Sequence, residues 1–534
     1  PRQLGALLDP QANKHLFLPD EQRREEASSS DLAEADDAPV KLRPSRVPDL
    51  NERQKDALDV ALHSPLGALI QGPPGTGKTT VIAHIVRSLV LRGERVLVCA
   101  QTNTAVDTIL SKVWDAGVRS FLRVGKPERS PGLSTTLAMS GADDALYFTQ
   151  TLAEHTGSLE ELGRAIATCP VLGSTTHAAV GDSTFEFLDR HVGAPIFDVV
   201  IVDEASQLTE PMTLAAINLS KRFILVGDHR QLPPIVQSEQ AISAYYEGTQ
   251  GEPGLMEVSP RDVEPSDEDE EKEALEQRAR HKGTGAFELD ETLEAIGCAG
   301  LDRSLFERLA GQLPHVMLEE QYRMHRDIMA FSNRAFYQGR LFANEKVAAH
   351  GLAVNEEVHA QLEGHLAHTL LAPESAVHFV NVNGFDAGRS NLLEARAVLE
   401  TLEDLLTSEL FLTGGAYGPR PSIGIISPFR AQVQLIRTLA DEHLGDRVWD
   451  VDIDTVERYQ GGERDIILVS MVKTERAGDF LTDLQRLNVT LTRARKKLVI
   501  FGNRACLGLN PTLRALLEQE ETCASDWEPK PGDS

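Results

Sequence analysis

The stretch LIQGPPGTGKTT, residues 69–80, constrains this chain more than any other part of its sequence. It satisfies the pattern G-x-x-x-x-G-K-[ST] from Gly72 to Thr79, between an apolar run and a segment with helical periodicity. Glycines in such a loop let backbone N–H groups converge on phosphate oxygens, and the N-terminus of the following helix adds its positive dipole. The pattern therefore predicts a phosphate-binding loop between a strand and a helix.

Residues of this loop have separate predicted roles. Lys78 would reach the β- and γ-phosphates of a nucleoside triphosphate, and Thr79 would offer its hydroxyl to Mg²⁺. We therefore expect ATP and Mg²⁺ as cofactors. The predicted ATP-binding residues of the loop are Gly72, Pro73, Pro74, Gly75, Thr76, Gly77, Lys78, Thr79 and Thr80.

Acidic and amide side chains follow two further apolar strands. The run DVVIV ends in Asp203 and Glu204. Asp203 is predicted to hold Mg²⁺ through water, and Glu204 to activate the attacking water. The segment ILVGDHRQLPP repeats the arrangement on another strand and would place Gln231 near the γ-phosphate, where it could sense the state of the nucleotide.

Cationic residues occur in compact motifs of the second half of the chain. EQYRMH contains Arg323, and RLNVTLTRARKK contains Arg493 and Arg495. A phosphoryl-transfer transition state is stabilised by a guanidinium group inserted from a facing domain. The predicted catalytic residues are therefore Lys78, Glu204, Gln231, Arg323 and Arg493.

Continuous apolar strands alternate with helices in two tandem blocks, which predicts an α/β fold with parallel sheets. Segments rich in Gly, Pro and acidic residues separate the blocks. In chain order, the predicted segments are an acidic linker (1–47), the first domain (48–237, with a small inserted subdomain at about 120–165), an acidic inserted loop (238–298), the end of the first domain (299–313), the second domain (314–515) and a C-terminal tail (516–534).

The formal net charge of −28 is unusual for a protein that binds nucleic acid, but it is unevenly distributed. Residues 20–37 carry eight acidic and two basic side chains, and residues 252–276 carry eleven and two. These two segments together account for −15 of the total. Because the local field rather than the total charge decides binding, a nucleic-acid groove remains compatible with this composition.

Cysteine spacing and hydropathy exclude several classes of protein. The five cysteines form no C-x-x-C pair, so the sequence contains no readable zinc or iron–sulfur motif. No apolar stretch approaches the roughly 20 residues that cross a bilayer. The chain does not open on a basic segment followed by an apolar one. We expect a cytoplasmic protein, nucleoid-associated if its source is prokaryotic, that is neither secreted nor bound to a membrane.

The ordered set of motifs resembles the superfamily 1 helicases, which implies two RecA-like domains with ATP in the cleft between them. Within that superfamily the chain is similar to the 5′→3′ branch that includes the nonsense-mediated-decay RNA helicases. The finer match is to the nuclease–helicase family that processes Okazaki-fragment flaps and resected DNA ends. It covers roughly residues 48–237 and 299–510. The segments that carry it are TNTAVDTIL, FDVVIVDEASQL, RFILVGDHRQLPPIV, LDRSLFERL, EQYRMH, DTVERYQGGERDIILVS and RLNVTLTRARKKL.

The resemblance implies roles for further residues. Gln54 would read the adenine, and Tyr322 would pack on the base. Gln460, Gly461 and Glu463 would couple nucleotide to nucleic acid. Small hydroxyl and amide groups at strand ends would contact the nucleic-acid backbone without reading its sequence, although they could also be ordinary helix caps. The residues in this group are Thr102, Asn103, Thr104, Ser174, Thr175 and Thr176.

The function implied is an ATP-dependent DNA helicase that moves 5′→3′ on single-stranded DNA, in replication or repair. An RNA or RNA–DNA helicase of the same branch is an alternative, as is a nucleotide-switch scaffold that does not unwind. Residues 1–47 supply neither the carboxylate–lysine core nor the clustered cysteines of the nuclease domain in the resembled family. We therefore expect no nuclease activity from this chain.

Overall fold

The computed structural model describes most of the two predicted domains. The described residues are 43, 45–143, 146–156, 159–192, 195–234, 303–352, 363, 366–370, 376–386, 388–407, 420–445, 451–459, 462–475, 483–519 and 522–529. The predicted acidic loop 238–298 lies outside these ranges, as does the predicted acidic linker up to residue 42.

Within the described residues, the first sheet has seven parallel strands in the order β3-β4-β2-β5-β6-β1-β7. Its central strands are buried on both faces, which explains their continuous apolar sequences. The strands are β1 Gly67–Gln71, β2 Val96–Ala100, β3 Leu122–Arg123, β4 Val171–Thr175, β5 Phe197–Val202, β6 Ser220–Gly227 and β7 His315–Met317.

Helices cover both faces of this sheet. Ile70 and Val98 pack into one buried cluster, whereas their neighbours Leu69 and Leu97 pack into another on the opposite face. This alternation follows from the two-residue period of a strand. The helices are α1 Glu52–His63, α2 Lys78–Leu91, α3 Asn103–Asp115, α4 Pro131–Met139, α5 Thr149–His155, α6 Leu159–Thr168, α7 Thr176–Gly181, α8 Ser183–Val192, α9 Glu210–Ile217 and α10 Leu305–Leu309.

A second parallel sheet has the order β12-β11-β13-β14-β10-β15 in the described part of the chain. The short strands β8 Glu320–Gln321 and β9 Phe342–Ala343 form a separate pair. The strands of the second sheet are β10 Val377–Val382, β11 Ile423–Ser427, β12 Asp452–Thr455, β13 Arg464–Ser470, β14 Ala494–Gly502 and β15 Thr522–Trp527. The accompanying helices are α11 Arg326–Phe336, α12 Glu345–Ala348, α13 Leu366–Leu370, α14 Leu392–Thr407, α15 Arg430–Leu444, α16 Leu484–Leu491, α17 Arg504–Leu507 and α18 Pro511–Leu517.

The two parallel sheets confirm the predicted fold class, and three edge strands show how the predicted segments contribute to them. Strand β7 pairs with β1, so the first sheet extends to Met317 although the second domain was predicted to begin at 314. Strand β3 joins the predicted inserted subdomain to the first sheet through β4. Strand β15, within the predicted C-terminal tail, pairs with β10. All three are edge strands, whose short or polar sequences give little apolar signal.

Candidate active site

The predicted phosphate-binding loop lies between β1 and α2. Gly75 and Gly77 have φ angles of 76° and 81°, which favour glycine. The ammonium group of Lys78 donates to the carbonyl of Gly72 at 3.2 Å, so the side chain folds back over the loop. A Cβ on Gly72 would lie 2.1 Å from the Cγ of Lys78. Glycine at this position is therefore what lets the lysine occupy the mouth of the loop.

The remaining loop residues shape the turn and the start of the helix. The hydroxyl of Thr76 donates to the carbonyl of Pro73 at 2.7 Å, which closes the turn before α2. Pro74 lies within this turn. Thr79 and Thr80, both half-buried, are the second and third residues of α2. The loop predicted from the pattern is thus present as a turn that ends at a helix N-terminus.

Three carboxylates surround the ammonium group of Lys78. Glu204 forms an ion pair with it at 3.2 Å. Burial acts to lower the pKa of Lys78, but the charges of Glu204, Asp203 and Asp228 outweigh burial and raise it. Burial, and then the charge of Glu204, raise the pKa of Asp203 to about 7. The cluster therefore holds more acidic groups than cations, and its carboxylate oxygens are of the type that binds Mg²⁺ together with phosphate oxygens of a substrate.

The backbone at the predicted catalytic base is strained. Glu204 has φ 51° and ψ 35°, an uncommon conformation for a residue other than glycine. Its carboxylate accepts from the side-chain amide of Gln207 at 2.9 Å, and its backbone N–H donates to Asp203 Oδ1 at 2.9 Å. These bonds hold the two adjacent carboxylates in different orientations at the end of β5. Strain of this kind is typical of functional sites.

Arg323 lies against the phosphate-binding loop. The backbone N–H of Tyr322 donates to the carbonyl of Gly75 at 2.8 Å, and a Cβ on Gly75 would lie 2.5 Å from the Cβ of Arg323. The guanidinium of Arg323 pairs with Glu463 at 2.5 Å and donates to the carbonyl of Thr492 at 3.3 Å. The segment after β8 thus places an arginine of the second half of the chain beside the loop of the first.

Arg493 follows α16 and is buried. Its guanidinium donates to the carbonyls of Val489 at 3.1 Å and Gly462 at 3.2 Å. Burial and the nearby charge of Arg323 lower the pKa of Arg493 to about 9, against the opposing effect of Glu204. Arg493 is therefore within electrostatic reach of both Glu204 and Arg323.

The two residues predicted to bind the base lie on one side of the loop. The amide of Gln54 donates to the carbonyl of Thr76 at 3.0 Å. Gln54 also forms a reciprocal capping box with Asn51 at the start of α1. The amide of Asn51 donates to the hydroxyl of Tyr322 at 2.8 Å and to Glu320 at 2.9 Å. Tyr322 is 40% exposed, so its ring remains accessible. Sequence reasoning had missed Asn51 and Glu320.

Gln231 is buried, and its amide donates to Asp228 Oδ2 at 2.9 Å. Asp228, which the sequence analysis did not select, is fully buried and follows β6 directly. Its position immediately after an apolar strand is the signal that had identified Asp203. Gln460 and Gly461 lie outside the described residues, whereas Glu463 is described and pairs with Arg323.

The predicted nucleic-acid contacts fall at the adjacent ends of β2 and β4, which pair through Ala100 and Thr175. Thr102 and Thr175 serve as N-caps of α3 and α7, each accepting from a backbone N–H at 3.2 Å. Both therefore fulfil the alternative role of helix cap. Asn103 accepts from the guanidinium of Arg123 at 2.6 Å.

Exposure divides these six residues into a first group of three that are exposed, a second group of two that are buried, and Thr175, which is half-buried. Thr102, Asn103 and Thr104 are exposed. Ser174 and Thr176 are fully buried, and the hydroxyl of Ser174 donates to the carbonyl of Thr175. Only the first group presents side chains to a ligand at this edge in the described structure.

Two further observations, on metal-binding groups and on membrane-spanning helices, hold for the described residues. No group of three or more His, Cys, Asp or Glu side chains among them has the arrangement of a metal site. None of the helices described is both long enough and apolar enough to cross a membrane.

Comparison with known proteins is consistent with this geometry. Two family models, each described as an AAA domain, match residues 49–146 with 148–239, and residues 301–505. The human DNA replication ATP-dependent helicase/nuclease DNA2 is 31% identical over 493 residues, which is 88% of this chain and 38% of that protein. The chain is similar to helicase/nucleases of the DNA2 family, and two of its segments match AAA domains. The Arabidopsis thaliana helicase/nuclease JHS1 is 29% identical over 91% of this chain and 30% of its own length.

This chain thus spans between about a third and two fifths of the length of these curated relatives. Among solved structures, the arterivirus nonstructural protein 10 (helicase) matches 88% of this chain and 64% of that chain, with a TM-score of 0.37 and 14% identity. The resemblance given by the motifs is confirmed by the helicase/nuclease relatives.

Proposed function

We propose that this chain is the motor of an ATP-dependent DNA helicase, which moves 5′→3′ along single-stranded DNA. The observation that carries the proposal is the convergence of Lys78 and Glu204 from the first domain with Arg323 and Arg493 from the second half of the chain. A nucleotide at this seam would contact both halves, so its hydrolysis could change how they are held together.

Each side chain has a role in the proposed reaction. Lys78 would bind the terminal phosphates, and Glu204 would accept the proton of the attacking water. Arg323 and Arg493 would stabilise the charge that develops on the transferred phosphoryl group. Thr79 and Asp203 would hold Mg²⁺, which when bound supplies neutralisation of phosphate charge.

The ion pairs in the structure bear on this assignment. Lys78 pairs with Glu204, and Arg323 pairs with Glu463. Bound phosphate groups would compete with both carboxylates for these cations, since phosphate offers more acceptor oxygens. ATP binding would then release Glu204 to contact water and release Glu463 from Arg323. This exchange gives a physical route from the nucleotide to the segment around residue 463.

Single-stranded DNA is the proposed track because the curated relatives carry DNA replication in their names. The exposed group Thr102, Asn103 and Thr104 would contact its backbone, while Ser174, Thr175 and Thr176 at the end of β4 would support them. Contacts of this kind bind any sequence and weaken with added salt. A stimulated ATPase would therefore lose stimulation steeply as salt rises.

An unwinding assay tests the proposal. The chain is given ATP and duplexes with either a 5′ or a 3′ single-stranded tail, with Lys78→Ala as the inactive control. We expect unwinding of the 5′-tailed duplex alone. Equal unwinding of both substrates, or preference for the 3′ tail, would contradict the polarity.

A second measurement separates the alternatives. ATP hydrolysis is followed with single-stranded DNA, with single-stranded RNA and without nucleic acid. We expect the largest stimulation by DNA. Stronger stimulation by RNA would indicate an RNA helicase of the same branch. Slow hydrolysis that neither nucleic acid changes would indicate a nucleotide-switch scaffold.

A further inference from the structure

A buried hydrogen-bond network starts at the end of β6, beside the proposed nucleotide site. Asp228 Oδ1 accepts from the amide of Gln71 at 3.1 Å. Its Oδ2 accepts from the amide of Gln231 at 2.9 Å and from the hydroxyl of Tyr337 at 2.7 Å. All four residues are at most 6% exposed. Because bulk water does not reach these bonds, each side chain depends on its partners for its orientation.

The same network continues into the second half of the chain. The amide of Asn488 donates to the hydroxyl of Tyr337 at 2.8 Å and to the carbonyl of Arg230 at 2.8 Å. The amide of Gln485 donates to the carbonyl of His229 at 2.9 Å. Helix α16, which carries Asn488 and Gln485, is thereby bonded directly to the loop after β6.

The residues of this network are close in sequence to the predicted nucleotide-binding residues and to both predicted arginines. Gln71 immediately precedes the phosphate-binding loop, and Gln231 is the predicted sensor of the γ-phosphate. Tyr337 follows the C-terminus of α11, whose N-terminus lies just after Arg323. Asn488 lies in α16, which ends two residues before Arg493. Tyr337 thus joins the nucleotide-facing side chains to both elements that position the arginines.

We propose that Tyr337 is a positioning residue that transmits the state of the nucleotide from Gln231 and Asp228 to the elements carrying Arg323 and Arg493. This inference rests on the proposed function, since it assumes that ATP is bound and hydrolysed at this seam. The tyrosine hydroxyl donates to one side of the seam and accepts from the other. A hydrogen bond weakens steeply with distance and angle, so a shift of Gln231 on ATP binding would displace α16 with it.

Tyr337→Phe tests this role because it deletes only the hydroxyl. Tyr459→Phe is the matched control. Tyr459 is also buried in the second half of the chain, but its hydroxyl has no hydrogen-bond partner among the described residues. For Tyr337→Phe we expect the kcat of DNA-stimulated ATP hydrolysis to fall about tenfold, with the KM for ATP changed less than twofold. Tyr459→Phe should keep both constants near the parent values.

A binding measurement tests the same role without hydrolysis. Hydrogen exchange is compared with and without a non-hydrolysable ATP analogue. In the parent chain we expect the analogue to protect both the phosphate-binding loop and α16. In Tyr337→Phe it should protect the loop but no longer α16. A merely stabilising hydroxyl would lower the unfolding temperature and leave this pattern unchanged.

The outcomes separate the two proposals. Parental kcat and parental protection of α16 in Tyr337→Phe would overturn the positioning role while leaving the proposed function intact. A parent chain that binds the analogue but hydrolyses no ATP would contradict the proposed function, and the protection pattern would still decide the role of Tyr337. A parent chain that binds no ATP would overturn both.

Discussion

The C-terminal edges of the two sheets each hold buried carboxyl groups, but their partners differ. At the first edge, Asp203 and Glu204 face the ammonium group of Lys78. At the second, Glu394 accepts from the hydroxyl of Ser470 at 2.6 Å and from the backbone N–H of Val472 at 2.7 Å. The first edge therefore contains charges that a ligand can exchange, whereas the Glu394 carboxyl group accepts hydrogen bonds from neutral groups of its own domain.

The side-chain amides of Asn391 and Gln432 complete the hydrogen-bond network around Glu394. Asn391 donates to the carbonyl of Val472 at 3.0 Å, and Gln432 donates to the hydroxyl of Ser470 at 3.0 Å. Val472 has a φ of 74°, so these bonds hold strained backbone in place. The comparison indicates that topology alone does not make an edge a ligand site. The glycine-rich loop and the ion pair between Lys78 and Glu204 distinguish the first edge.

Replacing one glutamate at each edge with glutamine should give the largest difference in the rate of ATP hydrolysis between the two edges. We expect Glu204→Gln to retain ATP binding but to slow hydrolysis at least about a hundredfold, because the proposed base is lost. Glu394→Gln should hydrolyse ATP within about twofold of the parent rate. Steady-state kinetics on both variants measures the contrast. If Glu204→Gln hydrolyses ATP at the parental rate, Glu204 is not the base.

Protonation of Glu394 should appear as a pH dependence of stability. Burial raises its pKa to about 7, against the hydrogen bonds from Ser470 and Val472. The folded chain then holds a proton that the unfolded chain releases near pH 4.5, so stability falls as pH rises through this interval. Between pH 5 and 7, the titration of this group should lower the free energy of unfolding by about 2 kcal/mol.

The measurement is chemical unfolding of the parent and of Glu394→Gln at several pH values. The variant should lack this part of the slope, while Asp203 titrates in both chains and cancels from the difference. Identical slopes in the two chains would show that folding does not raise the pKa of Glu394.

Replacing one glycine at each edge with alanine should give a smaller difference in ATP hydrolysis. The two glycines have similar backbone angles. Gly75 has a φ of 76°, and an added Cβ would lie 2.5 Å from the Cβ of Arg323. Gly75→Ala should therefore displace the arginine and slow ATP hydrolysis by about tenfold, since small misplacements of catalytic groups carry large rate penalties. If Gly75→Ala hydrolyses ATP at the parental rate, Arg323 does not take part in the reaction.

The smallest effect is expected at Gly388, which has a φ of 77° and open space around an added Cβ. Gly388→Ala should cost about 1 kcal/mol of stability, from the left-handed backbone alone, and leave ATP hydrolysis unchanged. Chemical unfolding and kinetics on this variant provide the control for Gly75→Ala. Loss of hydrolysis here would place the second edge in the active site.

Much of the fold was predictable because its signals are local. The strands from β1 to β14 that carry continuous apolar runs were identified, and so was the loop ending at Lys78. Strands β7 and β15 were not predicted, because they are edge strands, which gain their structure by pairing with β1 and β10. Pairing partners far apart in the chain leave no periodic signal in either sequence.

The candidate site was partly predictable for a related reason. Asp203, Glu204, Arg323 and Arg493 lie in compact motifs whose residue types match the chemistry of phosphoryl transfer. Thr102 and Thr175 were expected to contact nucleic acid, and the structure gives them the local role of helix caps. A hydroxyl after a strand suits both roles equally, so sequence pattern does not distinguish them.

By itself, the sequence determined the residues that a triphosphate would require: glycines with a lysine, paired acids after a strand, and arginines in later motifs. Only the tertiary structure brought Tyr337 to Asp228 and Asn488 to Tyr337, across 109 and 151 positions of the chain. The physical reason is that glycine conformations and strand burial are encoded over a few neighbouring residues. The partner of a buried hydroxyl or carboxylate is decided by how whole elements pack.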